Sequence, residues 1–393
     1  MERCTAFSSR FFHRLWPLSM KGPRVIQAAM DQAVRDGVFP GGVLAVRLAG
    51  ELECLVVSGC LSSDPTDLVQ ASTVYDLASL TKPLATVTSI LFLVQSGTLD
   101  LDAPVEHTLE DLNGTPVGVA TLRELLQHRS GLPGWRPLYE GLTANGIEWG
   151  RSESVRQTVL HLIGQEPLKY RRGERSEYSD LGFILLGLAV ERASGKPLDE
   201  YFDESVARPL EAQPLCFNPI ETESCSSRPA VAVSSIAPTE WDEWRRQLLK
   251  GQVHDENAAA LGGVAGHAGL FGTAEAVLAV SGVWLRSYEG QRSMLEQRLV
   301  REFTRRPSSC SQSSWALGWD TPTAPSSSGS HLSPESFGHL GYTGTSLWVD
   351  PRRKLEVLLL TNRVHPTRKN EKIRAFRPLI HDVVFQEIVS GTK

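Results

Sequence analysis

The chain has 393 residues, 41% of them hydrophobic and 22% charged, an ordinary globular composition whose length suits one large enzyme domain carrying an insertion. Its net charge of −5 leaves no basic footprint for nucleic acid. The longest apolar run, Phe183 to Val190 interrupted by Gly187, is far too short to span a membrane.

Residues 1–22 are basic and lack a clean apolar stretch of signal-peptide length. They read as an arm outside the domain, either disordered or lying ahead of a true start at Met20. The expectation is a cytoplasmic protein, with a periplasmic one as the alternative. Cys4, Cys54, Cys60, Cys216, Cys225 and Cys310 are scattered with no C-x-x-C pair, which argues for a reducing compartment and against a disulfide framework.

From Pro23 to Asp36 the apolar residues recur at helical spacing, with Pro23 suited to a first turn and Gly37 to a stop. Two β-rich runs follow, Val43–Leu48 and Leu52–Ser58, around Ala49-Gly50-Glu51, which predicts a hairpin. The next segment, DLASLTKPLA, puts Ser79 three residues before Lys82 at the start of an apolar helix. Pro83 fits only a first turn, so the helix should begin near Ser79. Alone, the motif reads as a serine cap with a solvated lysine. The same spacing recurs by chance at Ser390–Lys393.

The middle, 101–305, is read as mostly helical. Thr121-Leu122-Arg123-Glu124 is a capping box. Leu181 to Ala193 reads as a buried helix, with Tyr178, Ser179 and Asp180 just ahead of it; Ser179 or Asp180 is a natural cap. The stretch Cys216 to Glu240 reads as a long loop. Near the C-terminus, His339, Gly341, Gly344 and Thr345 lead into Ser346–Val349, and Leu355–Thr361 follows as its hairpin partner. A last helix is expected over Ile373 to Ile388. The predicted fold is therefore α+β, of the α/β-sandwich type. An antiparallel sheet is built from both chain ends, 23–100 and 306–393, flanked by helices, with the helical insertion between them. The cleft between the two parts is the default site.

Three segments matter together. Ser79-Leu80-Thr81-Lys82, Tyr178-Ser179-Asp180 and His339-Leu340-Gly341 resemble, in order and type, the Ser-x-x-Lys, Tyr-x-Asn and Lys-Thr-Gly signatures of the class C β-lactamase and penicillin-binding-protein superfamily of serine hydrolases. Thr121–Trp135 and the Gly-rich Gly262–Val277 also resemble segments of that family, and Val253–Ala258 and Leu358–Pro366 look like its β-lactamase-related, esterase-like subgroup. The resemblance runs from about Pro23 to Ile388. An alternative match of Ser179-Asp180-Leu181 to Ser-Asp-Asn fails because leucine cannot do an asparagine's polar work.

The resemblance implies a β-lactamase/DD-peptidase-like fold and an acyl-enzyme on Ser79. Lys82 and Tyr178 would share the proton transfers. Asp180, His339, Leu340, Gly341 and Tyr342 would meet the substrate, with the N–H groups of Ser79 and Tyr342 as oxyanion donors. The substrate would be a small ester, amide or peptide. Neither a metal nor an organic cofactor is implied, and His254, Asp255, Glu256 and His267 read as loop hydrogen-bonding groups. The chain departs from the pattern twice. His339 replaces a lysine that helps hold a substrate carboxylate. Asp180 replaces an asparagine, and its carboxylate should keep Lys82 charged and move the base role toward Tyr178. Both argue against efficient β-lactam hydrolysis and lean toward an esterase or a peptidase of other specificity, the esterase first. The alternatives are a β-lactamase or D-amino-acid peptidase acting on cell-wall fragments, and a binding or sensor protein that is acylated without turnover. Trp135 and residues 136–150 are expected to shape the acyl or leaving-group pocket.

Overall fold

A computed structural model describes residues 21–220, 233–307 and 313–390. Nearly all of the expected N-terminal arm, part of the Cys216–Glu240 loop and the chance motif's last three residues lie outside the described residues.

The principal sheet joins the two ends of the chain. Strands β1 (Gly41–Leu48) and β2 (Glu51–Gly59) form the first hairpin. Strands β3 (Phe337–Leu340), β4 (Ser346–Asp350) and β5 (Leu355–Thr361) form the second group. The order is β2-β1-β5-β4-β3 and every pairing is antiparallel. The join is β1 against β5, with Val43 opposite Leu360 and Ala45 opposite Leu358.

Side chains on a strand alternate faces, so one run serves two cores. Val43, Ala45, Leu358 and Leu360 pack toward the helical region. Leu44, Val46, Val357 and Leu359 face the other way, against Ile26 and Met30 of α1 (Lys21–Arg35) and Ile373 and Ile380 of the C-terminal helix Ile373–Val384. The sheet is thus covered on both faces, which explains why β5 is buried along its whole length and apolar from Val357 to Leu360.

The expected helices lie close to their predicted bounds. Thr121 accepts from the N–H of Glu124 and Glu124 returns a bond to the N–H of Thr121, closing the capping box ahead of α2 (Leu122–Leu126). The buried helix is α3 (Asp180–Ser194), and Ser179, not Asp180, caps it. The chain also holds short strands that lack a long enough apolar pattern to be seen in sequence. Tyr75–Asp76 and Leu215–Phe217 pair on either side of Leu270–Gly272.

The stretch Ala78–Gln95 is long and apolar enough by composition to cross a membrane, yet 78% of it is buried inside this domain. It runs through the core against α3, beginning with a tight turn at Ala78–Leu80 and a wide π-helical turn at Lys82–Val87. Its neighbour is a glycine-rich segment. A Cβ on Gly266 would sit 2.0 Å from the carbonyl oxygen of Phe183 and 2.7 Å from the N–H nitrogen of Gly187. We expect Gly266→Ala to destabilise the fold by about 1–3 kcal/mol or more, measured by urea denaturation, because both contacts are backbone and cannot swing aside.

Candidate active site

Ser79 stands on a constrained turn. Ala78, just before it, has φ 47°, a left-handed conformation that costs a non-glycine residue free energy. The Ala78 N–H donates to Asp76 Oδ1 at 2.8 Å, and Asp76 Oδ2 accepts from the N–H of His254 at 2.7 Å. This buried carboxylate therefore ties the turn to the Val253–Ala258 segment.

Lys82 projects from the first π-helical turn and is fully buried. Its Nζ donates to Ser79 Oγ at 2.9 Å, to Asp180 Oδ1 at 2.7 Å and to the main-chain oxygen of His267 at 3.2 Å. Three acceptors match the three protons of an ammonium group. Burial alone would lower its pKa, but the Asp180 carboxylate and Tyr178 outweigh that and raise it above the ordinary lysine value. The expected effect of aspartate in place of asparagine is thus present in the geometry.

Tyr178 Oη lies 2.8 Å from Ser79 Oγ. The segment carrying it is clamped by residues that follow α2. The N–H of Ser179 donates to His128 Nδ1 at 3.0 Å, and the Ser179 hydroxyl donates to the Pro133 carbonyl at 2.8 Å. The N–H of Asp180 donates to the Gly134 carbonyl at 2.8 Å. The His128 ring packs 4.7 Å from the Tyr178 ring, and Trp315 packs 5.3 Å from it on centroids. Burial pushes the Tyr178 phenol up to about 12, against a smaller downward pull from Lys82 and with an upward push from Asp180. Leu181 is fully buried in α3, which leaves it no polar contact with the cleft.

The third motif belongs to the sheet. His339 and Leu340 sit within β3 rather than ahead of a strand, and Gly341 opens the turn to β4. Gly341 is a glycine because two groups crowd it. A Cβ there would lie 1.9 Å from Thr345 Oγ1 and 2.6 Å from the Leu77 carbonyl oxygen. Thr343 Oγ1 donates to the Asp76 carbonyl at 2.8 Å and Thr345 Oγ1 to the Leu77 carbonyl at 3.2 Å. The β3–β4 turn is therefore docked directly on the Ser79 turn, and Tyr342 reaches the cleft from it, half exposed.

His339 is 2% exposed. Its Nδ1 lies 2.8 Å from the Leu340 carbonyl oxygen, which can only accept, so Nδ1 carries the proton. Nε2 has no partner among the described residues. Burial, then the charge on Lys82, push its pKa down to about 3. His339 is a neutral ring packed on Trp315 at 5.3 Å and on Tyr178 at 6.0 Å, and it supplies no cation to the cleft.

These residues open onto one cleft of about 770 Å³. Ser79, Tyr178, Asp180, His339, Gly341 and Tyr342 line it together, and Leu340 adjoins them. Trp135 and Tyr139 line the rim expected for the loop after Gly134. Sequence reasoning missed His128, Trp315 and Asp76. His128 and Trp315 reach the site from far along the chain, and Asp76, only three residues before Ser79, acts through a bond to the distant His254 N–H that its local sequence does not show. Cation-bearing side chains missed in the same way, Arg363 and Arg377, hold the β3–β4 turn through the Tyr342, Gly341 and Thr345 carbonyls.

Comparison with known proteins matches this architecture. The model of the Beta-lactamase family covers residues 25–381. Over 371 residues the chain is 31% identical to N-acetylmuramyl-L-alanine amidase of Bacillus subtilis (strain 168), spanning 88% of this chain and 82% of that one. Over 327 residues it is 32% identical to a Salmonella agona (strain SL483) protein provisionally named D-alanyl-D-alanine carboxypeptidase, spanning 78% and 73%. Among solved structures, EstCE1, a hydrolase with promiscuous acyltransferase activity, superposes with a TM-score of 0.71 at 21% identity, over 92% of this chain and 98% of that one. The LovD6 mutant of simvastatin synthase from Aspergillus terreus gives 0.69 at 21% identity, over 94% and 98%. At that identity these two speak for the fold.

Proposed function

The chain belongs to the Beta-lactamase family, and we propose that it is a serine hydrolase of small amides that works through an acyl-enzyme on Ser79. The observation that carries this reading is the pair of contacts to Ser79 Oγ, 2.9 Å from Lys82 Nζ and 2.8 Å from Tyr178 Oη. The two relatives described above bear names that denote cleavage of an amide beside alanine.

In the proposed reaction the phenolate form of Tyr178 takes the proton of Ser79 Oγ as that oxygen attacks the amide carbon. Lys82, held charged, stabilises the phenolate and the attacking oxygen. The N–H groups of Ser79 and Tyr342 take the developing oxyanion, each such donor being worth on the order of 10²–10³ in rate. Tyr178 then protonates the departing amine, leaving an ester on Ser79. Water attacks that ester, again with Tyr178 as base, and releases the acid and the free hydroxyl. Asp180 sets the charge balance. Leu340 and Gly341 offer strand-edge backbone to the substrate.

This scheme predicts the effect of Asp180→Asn on pH dependence. The Asp180 charge favours the protonated forms of both Lys82 and Tyr178. Removing it lowers both pKa values, so the alkaline rise in kcat/KM should move down by about 1 unit or more, whichever group is the base. A pH–rate profile checks it; an unmoved or upward-shifted rise contradicts the scheme.

A second reading is an esterase, favoured by the neutral, buried His339. An ester needs no cation to hold a terminal carboxylate and less help for its leaving group. A panel of short-chain aryl esters, a chromogenic cephalosporin, D-Ala-D-Ala peptides and N-acetylmuramyl-L-alanine tests both. Turnover of the alanine amides with a Ser79 acyl adduct supports the first reading, and turnover of esters alone replaces it with the second. Stoichiometric labelling with no steady-state rate would make the protein an acylated sensor instead.

A further inference from the structure

Asp255 and His267 also line the cleft, and the scheme above gives them no part. His267 is 1% exposed, and its Nε2 lies 2.7 Å from Asp255 Oδ1. A carboxylate only accepts, so Nε2 carries the proton. Burial works against the Asp255 charge, but His267, the N–H of Ala258 and Lys82 hold its carboxyl well below the usual range.

The main-chain oxygen of this same His267 is the third acceptor of Lys82. Ring and carbonyl belong to one residue, so an anchor on the ring restrains the carbonyl. The anchor matters because glycines flank the residue. Gly266 precedes it, and Gly269, with φ 116°, follows two positions later. Glycine leaves a backbone the most freedom to move. The adjoining bonds, Thr86 Oγ1 to the Gly266 carbonyl at 2.7 Å and the Leu270 N–H to Thr81 Oγ1 at 3.1 Å, fix the segment's ends, not the carbonyl between them.

Asp255 also caps the short helix Glu256–Ala260, accepting from the Ala258 N–H at 2.8 Å. Capping alone does not call for a buried histidine on the same carboxylate oxygen. We propose that Asp255 is a positioning residue, which through His267 holds the carbonyl that takes one proton of Lys82 and so keeps the ammonium aimed at Ser79. This rests on the acylation scheme above.

Asp255→Asn separates the two tasks, because asparagine caps a helix about as well as aspartate but its neutral amide oxygen holds the His267 Nε2–H more weakly than a carboxylate does. The measurements are the rate of Ser79 labelling by a fluorophosphonate and steady-state kinetics on an aryl ester. D255N should lower the labelling rate and kcat on the order of 10²-fold, the scale of a misplaced catalytic group, with Tm close to the parent's. KM should stay within about twofold, since substrate contacts are intact. His267→Gln should lose as much, and the double variant no more than the worse single one, as for residues acting as a unit. Labelling of D255N at the parent rate, or losses that multiply in the double variant, overturns the proposal. If D255N lowers Tm, H267Q keeps the cap and is judged by the same rates. A parent protein that takes no label on Ser79 overturns the acyl-enzyme reading instead; a labelled parent with an unaffected D255N overturns only this one.

Discussion

Ser79→Ala is expected to lose covalent labelling by a fluorophosphonate or penicillin and to lower kcat/KM on the order of 10⁴-fold or more, the scale for removal of a nucleophile. The substitution deletes one oxygen. It keeps the Ser79-position N–H, so the start of the helix is unchanged, and the Ala78 turn stays pinned by Asp76. What is lost is the acceptor shared by Lys82 and Tyr178. Lys82 keeps Asp180 and the His267 carbonyl, so its charge remains compensated. Intact-mass spectrometry of the labelled protein reads the outcome directly. A Ser79→Ala protein that still takes the label at parent stoichiometry would place the nucleophile elsewhere.

Tyr178→Phe is expected to lower kcat/KM for amides by about 10²–10⁴-fold, the range for a general acid–base. Phenylalanine keeps the ring, and with it the packing on His128 at 4.7 Å and Trp315 at 5.3 Å, so the fold has little reason to change. The loss should be smaller for an aryl ester, whose phenolate departs without a proton. The ratio of the two losses therefore reports protonation of the leaving group. A Tyr178→Phe protein with amide kcat/KM within about tenfold of the parent would return the base role to Lys82.

The two predictions rest on an inference about protons that pulls in opposite directions. Asp180 keeps Lys82 charged and so removes it as a resting base. Burial keeps Tyr178 a phenol as well, with its pKa up to about 12. In the proposed scheme the reactive form, phenolate beside ammonium, is a minor one at neutral pH. Its population rises with pH, which is why the Asp180→Asn shift is the informative companion to Tyr178→Phe.

Parts of this protein were legible locally. The β-rich runs of β1, β2 and β5 and the capping box at Thr121 depend on near neighbours, so they could be read from the chain. So could the proximity of Ser79 and Lys82, which one turn of helix guarantees. Resemblance brought Tyr178 and His339 to the same site, but local pattern could not say what either would do there. His339 read as a weakened anchor; in the fold it is a buried neutral ring whose proton is committed to Leu340.

Hydrophobic period, capping and turn chemistry act within a few residues, so the chain alone specifies most of the elements and the motif spacing. The protonation of the site is set by contacts that exist only once the chain has folded. The three acceptors of Lys82 come from Ser79, Asp180 and His267, the last two 98 and 185 residues away, and His128 clamps Ser179 from 51 residues away. Charge in a buried site depends on which distant groups packing brings within about 3 Å and on how much water it excludes, and no local pattern in the chain carries either quantity.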